Sequence, residues 1–275
     1  MTTKIISDSA SNVLSLDKVA FETVPLTISI DGQDFKDDTS LSIETLVDKL
    51  HQGEKTSTAC PSIAAWQEAF AGYDEIFAVT ITSKLSGSYS SAVQAAQLYM
   101  EDHPEVKIHV IDSKSAGPSI ALIIEHLEDL VASGMPFEAI VTEIEAYTNK
   151  AKLSFALENL ENLAKNGRIK PAVAKLATML KIRLVGIAQD GELTPIGKPR
   201  GLKKTVAIML KDMEERNYTG GKVIIAHTLN ETAANVLKAS IINIYPKAQI
   251  KITQTRGLCT YYAQKGGLML GFEGK

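Results

Sequence analysis

A chain of 275 residues with 45% hydrophobic and 22% charged residues has the make-up of an ordinary globular protein, long enough for two domains with buried cores. Its formal net charge of −3 excludes the basic surplus on which nucleic-acid binding relies. Cys60 and Cys259 form no CxxC, the opening residues carry no apolar signal segment and no apolar run reaches membrane-span length, so a reduced, cytoplasmic chain is expected.

The first half alternates strand and helix patterns. Strands are predicted at about 4–7, 76–82 and 107–112, and helices at about 41–52, 62–71, 88–101, 118–133 and 136–148. Such alternation predicts a parallel α/β sheet over residues 1–150. Val24 to Ile30 reads as one strand entering the turn Asp31-Gly32, with Gln33 to Phe35 leaving it. That hairpin interrupts the alternation and is placed to clasp the second half.

The pattern changes near Lys150. Leu153 to Leu157 reads as a strand, followed by a helix from Glu158 to Asn166 that Gly167 ends. Arg183 to Ile187 and Glu192 to Ile196 flank Gln189-Asp190-Gly191, a hairpin signal. Helices at about 202–216 and 230–242, strands at about 222–227 and 248–254, and a last strand from Leu268 to Phe272 complete an α+β domain over residues 151–275. The fold class is therefore α/β, with an N-terminal parallel-sheet domain and a C-terminal α+β domain, between which a ligand would lie.

Hydroxyl groups recur where predicted strands end. Leu85-Ser86-Gly87-Ser88 separates a β-branched run from a helical pattern at Tyr89, Ala92, Val93, Ala96 and Met100. Hydroxyls, a glycine that admits close approach and free N–H groups at a helix start suit a carboxylate or phosphate there, although serine is also a common N-cap. Ile6-Ser-Asp8-Ser9, Thr56-Ser-Thr58-Ala-Cys-Pro-Ser62 and Asp112-Ser113 repeat the device. Open parallel sheets bind ligands at the carboxyl ends of their strands, so four such loops are expected to line one crevice.

Other chemistries fit less well. Gly191 to Pro199 imitates a P-loop but has five intervening residues where four are needed, and Pro199 stands at the magnesium-binding hydroxyl position. A serine hydrolase would use Ser86 or Ser88 with His227 and Asp8 or Asp112, yet Ser86 and Ser90 occupy the glycine positions of GxSxG around Ser88. That reading needs a histidine within hydrogen-bond reach of the serine. The five histidines are scattered without HxxxH or a cysteine pair, so no metal site is expected. Arg168, Arg183, Lys198, Arg200, Lys203 and Lys204 punctuate the second half. Lysines at a helix start oppose its dipole, a cost that binding phosphate or an acidic partner would offset.

Taken in order, these motifs resemble the DegV family. The likeness runs through Ile6-Ser-Asp-Ser9, Val24-Pro-Leu26, Asp31-Gly32, Thr58-x-x-Pro61-Ser62, Leu85-Ser-Gly-Ser-Tyr89 and Asp112-Ser113. It continues through Asn166-Gly-Arg-Ile169, Lys181-Ile-Arg183, Asp190-Gly191, Lys198-Pro-Arg-Gly-Leu-Lys-Lys204 and Gly266-Gly267-x-x-x-Gly271-Phe272. The resemblance implies a lipid-binding subunit without catalysis or cofactor of its own. Such a protein binds a long-chain fatty acid and presents its carboxylate to a separate ATP-dependent fatty acid kinase with a dihydroxyacetone-kinase-like domain. The acyl phosphate would pass to an acyltransferase of phospholipid synthesis, through transient membrane contact at most. Carried over by motif, Thr58, Ser86, Gly87 and Ser88 become the carboxylate candidates, and Arg168, Arg200 and Tyr262 candidates for headgroup or kinase contact. Two places depart from the usual family pattern. Ala59-Cys60 stands where Ser-Gln is common, and Tyr262-Ala-Gln-Lys-Gly266 stands where many members have His-Thr-Gly-Pro-Gly.

Overall fold

The computed structural model describes residues 2–169, 173 and 183–275. Lys181 and Ile182 of the sequence pattern lie outside the described residues. Four parallel strands, in the order β2 (Ala20–Val24), β1 (Thr3–Asp8), β6 (Glu75–Thr80) and β7 (Lys107–Asp112), form the first sheet. Side chains alternate across it, as the period of two requires. Ile5, Phe77 and Val79 pack on one face with α4 (Pro118–Ala132) and α5 (Phe137–Thr148). Ile6, Ile76 and Ala78 pack on the other with α2 (Ile63–Phe70) and α3 (Ser88–Asp102). Both faces are covered, the condition under which all-parallel sheets occur.

A six-stranded mixed sheet is built from residues after 150. Its order is β10 (Glu192–Gly197), β9 (Leu184–Gln189), β8 (Ala151–Leu157), β13 (Leu268–Glu273), β11 (Lys222–His227) and β12 (Gln249–Gln254). One face carries α7 (Leu202–Glu215) and α8 (Glu231–Ile244) over Val185, Val223, Ile225, Leu270 and Phe272. The opposite face meets α4, whose Ile120, Ile123 and Leu127 belong to the first sheet's core while Leu122 touches Ile224. Backbones nearly touch there. A Cβ on Gly271 of β13 would stand 2.6 Å from the Pro118 carbonyl, so only glycine lets α4 settle on the strand.

The predicted single strand Val24–Ile30 is two strands. Val24 closes β2 in the parallel sheet, and β3 (Thr27–Ile30) starts a separate sheet in the order β4 (Gln33–Lys36), β3, β5 (Thr56–Ala59). Pro25, with no N–H to donate, stands at the break. The Asp31-Gly32 and Asp190-Gly191 turns have positive φ at both residues, the geometry whose twist matches paired strands.

This small sheet is the expected clasp. Tyr261, fully buried, packs on Ile28, Ile30 and Leu46 of α1 (Ile43–Gln52), and its hydroxyl donates to Thr56 Oγ1 at 2.9 Å. Tyr261 lies on α9 (Gly257–Ala263), a helix absent from the sequence expectations. Its own N-cap, Arg256, makes no side-chain cap. Asp37 supplies it from a distance, accepting the N–H groups of Gly257 and Leu258 at 2.7 Å each. A second shortfall is α6, which spans only Glu161–Lys165 of the predicted Glu158–Asn166; its N-cap Leu160 offers no side-chain acceptor, and Asn159 Oδ1, one residue earlier, accepts the Glu161 N–H at 2.7 Å.

Candidate functional site

A cavity of about 300 Å³ lies between the carboxyl ends of the first sheet and the inner face of the second. Leu153, Phe155 and Leu157 are alternate residues of β8, so all three face it, and Met269 of β13 joins them. Leu26, Ile81 and Leu85 close it from the first sheet's loops, and Leu258, Cys259 and Ala263 from α9. Size and apolar lining suit a small ligand with few polar groups, for which pockets of roughly 300–1,000 Å³ are usual.

Polar groups come from four places. Thr58 sits on β5, Ser86 and Gly87 just before α3, Arg168 after α6, and Tyr262 on α9. Thr58 Oγ1 and the Tyr262 hydroxyl are 2.9 Å apart. Burial raises the Tyr262 phenol above its ordinary range, while Thr58 and the nearby Arg168 guanidinium act the other way, so it is a protonated donor at neutral pH. Ser86 Oγ accepts the Ser88 N–H at 3.2 Å, taking up one of the free donors at the start of α3. Arg168 Nη1 donates to the Asn166 carbonyl at 2.8 Å, whereas its Nε is buried without a hydrogen-bond partner among the described residues. No carboxylate among the described residues lies within ion-pair distance of Arg168. A cation so placed beside an apolar cavity can receive an anion.

The structure therefore brings Thr58, Ser86, Gly87, Arg168 and Tyr262 to one cavity and leaves two predicted residues outside its lining. Ser88 is fully buried, and its hydroxyl donates to Asp8 Oδ2 at 2.6 Å. Arg200 and Lys198 are exposed in the segment before α7, and Lys203 and Lys204 are exposed in its first turn. The expectation of four hydroxyl loops around one crevice is corrected too. Only the loops carrying Thr58 and Ser86 bring hydroxyls to the cavity. Asp112 Oδ1 instead accepts the N–H groups of Ser83 and Lys114, and Ser9 Oγ accepts the Leu26 N–H.

Asp8, from another of the expected crevice loops, turns inward instead of lining the cavity. It accepts the Ile81 N–H at 2.9 Å, the Ala10 N–H at 3.2 Å and the Ser88 hydroxyl, so it ties the ends of β1 and β6 to the start of α3. Complete burial pushes its carboxyl up to about 6, against the pull of those three donors. The hydrolase geometry is not met. His227 Nδ1 accepts the Asn230 N–H at 3.2 Å, and no histidine among the described residues hydrogen-bonds Ser86 or Ser88. Cys60 and Cys259 are free thiols that both line the cavity, Cys60 exposed and Cys259 raised to about 12 by burial. The described residues contain no cluster of three or more potential metal ligands and no helix long and apolar enough to cross a membrane.

Sequence reasoning missed the apolar walls. Leu153, Phe155 and Leu157 show a one-faced period of two, but nothing local says which layer that face meets.

The family profile described as "Uncharacterised protein, DegV family" matches residues 2–273. The chain belongs to the DegV family. A DegV domain-containing protein of Streptococcus pneumoniae is 43% identical over 99% of both chains. A DegV family protein from Eubacterium eligens, solved loaded with heptadecanoic acid, superimposes with a TM-score of 0.97 at 41% identity over 100% of each chain. The Fatty Acid Kinase B3 protein of Streptococcus pneumoniae, solved loaded with linoleic acid, gives 0.97 at 42% identity with the same coverage. The DegV likeness thus covers both sheets and the cavity between them.

Proposed function

We propose that this DegV chain binds a long-chain fatty acid in the cavity between its sheets and presents the carboxylate to a separate fatty acid kinase. The observation that carries the reading is an apolar cavity with one polar cluster, where Arg168 has a buried, unpartnered Nε and no carboxylate among the described residues. The fatty acids bound by the Eubacterium eligens and Streptococcus pneumoniae relatives support the ligand class, and the kinase name of the latter supports the partner. Residues 1–150 and 151–275 serve as the two domains that close on the tail.

Magnitudes divide the work. Burying roughly 15 methylenes at ~0.8 kcal/mol each gives ~12 kcal/mol before ordering costs. Hydrogen bonds to a charged carboxylate give roughly 1.5–3 kcal/mol apiece at best and must first replace water. The tail supplies affinity, and the polar cluster fixes which end is presented. Thr58, Tyr262, Ser86 and Arg168 hold the carboxylate, with the Gly87 N–H beside them. Ser88 acts one step back, through Asp8. Tyr262 takes the donor role without positive charge, leaving Arg168 as the cation of the cluster. Arg200, Lys203 and Lys204, exposed and without ion pairs among the described residues, form the contact for an acidic kinase face. The chain itself needs no cofactor in this role, and the acyl phosphate passes onward to an acyltransferase.

Mass spectrometry of an organic extract of the purified protein tests the reading. A stoichiometric long-chain fatty acid is expected, and native spectra should show the same mass bound. A cavity that stays empty after incubation with oleic acid would overturn it.

A further inference from the structure

One wall of the cavity is shaped from behind by a residue that does not line it. Phe155 of β8 pairs in register with Gly186 of β9 on one side and with Met269 of β13 on the other. A Cβ on Gly186 would collide with the edge of the Phe155 ring, standing 2.8 Å from Cε2. The ring thus reclines across β9 into the space a side chain would fill. Nothing in the backbone demands glycine there, since Gly186 is not among the residues of positive φ. Glycine inside a strand weakens it and marks a close approach, and here the approaching group is the ring.

We propose that Gly186 is a specificity-determining residue, which sets the acyl-chain capacity of the cavity by seating Phe155 against β9. The inference rests on the fatty-acid reading above and deepens it. A side chain at 186 denies the ring its seat. On the far side stands Met269, whose Cε is itself pressed against Gly117, 2.7 Å from where a Cβ there would lie. The displaced ring moves into the cavity, because close-packed neighbours leave it nowhere else. An added methyl at 186 would also stand 2.9 Å from the Thr194 carbonyl. That carbonyl belongs to the edge strand β10, whose register already shifts between Pro195 and Gly197, so it can yield. An apolar pocket discriminates by size at roughly 10- to 200-fold per methylene, so a small loss of depth or width is read as chain length.

The experiment loads the parent, Gly186→Ala, Phe155→Leu and the double variant with an equimolar pool of saturated acids from lauric to stearic. The bound acids are then counted by gas chromatography. Gly186→Ala should keep the parent's total load and deplete the longest acid relative to the shorter ones by roughly tenfold or more. Phe155→Leu should enrich the longest acid, and the double variant should match Phe155→Leu, because no ring is left to displace. A parent-like profile in Gly186→Ala overturns the proposal, as does a double variant that keeps the Gly186→Ala profile. If Gly186→Ala fails to fold, a parent-like profile in Phe155→Leu overturns it. A parent that binds no acid at all sinks the fatty-acid reading instead.

Discussion

Replacing Asp8 by Asn tests the clamp under the Ser86-Gly87 turn through its pH dependence. The carboxyl stands at about 6 in the folded chain against an ordinary 3.8, because burial penalises the charge more than its three donors repay. At ~1.36 kcal/mol per decade this difference is about 3 kcal/mol. The sign follows from linkage. Between about pH 4 and pH 6 the folded state holds a proton that the unfolded state has released, so stability falls as pH rises through that window. Below it Asp8 is neutral in both states, and above pH 7 the full loss has been taken. Asn has no such slope. Its carbonyl can serve the Ile81 N–H and Ser88 hydroxyl, which leaves its amide facing the Ala10 N–H, a pH-independent cost of about 1–3 kcal/mol. Urea unfolding of both proteins from pH 4 to 7.5 covers most of that window and should therefore show their stability difference swinging by about 2 kcal/mol in favour of the Asn variant. Asp37, also raised by burial, is present in both proteins and largely subtracts. A difference that stays flat across the range would refute a buried, destabilised Asp8 carboxylate.

Arg168→Gln should weaken oleic acid binding by about 1.5–3 kcal/mol and bring it close to that of oleyl alcohol; calorimetry with both ligands checks it, and unchanged acid preference would remove Arg168 from the site. A double-mutant cycle on Thr58→Val and Tyr262→Phe should give a coupling of about 0.5–1.5 kcal/mol in acid binding, since the two hydroxyls share one hydrogen bond; simple additivity would separate them. Replacing Arg200, Lys203 and Lys204 by Ala should leave the bound acid intact and raise the concentration needed to saturate the kinase. The effect should shrink with added salt, and normal coupling at low salt would leave these residues a solvated helix start.

The alternation of strands and helices, both Asp-Gly hairpins and the hydroxyl-bearing turn at Ser86-Gly87 were legible because each is a local property of the chain. Period, turn chemistry and helix-start residues need no partner to be recognised. Thr58, Arg168 and Tyr262 could be named from motifs, but their meeting depends on β5, α6 and α9 being packed together. Pro25 marks the break between β2 and β3, yet both of its flanks carry a strand pattern, so the two read as one.

Other features had no local signal. The helix Gly257–Ala263 forms because Asp37, far away in the chain, caps it. Ser88 was indistinguishable from Ser86 until the fold turned one hydroxyl to the cavity and the other to Asp8. Backbone preferences and hydrophobic period act over a few residues, so the set of elements and the chemical kinds gathered at their ends follow from local sequence. Which hydroxyls stay free, which carboxylate is buried and which face of β8 borders a cavity are set by the packing of distant elements. Those outcomes depend on desolvation and on partners that folding alone brings within hydrogen-bond distance.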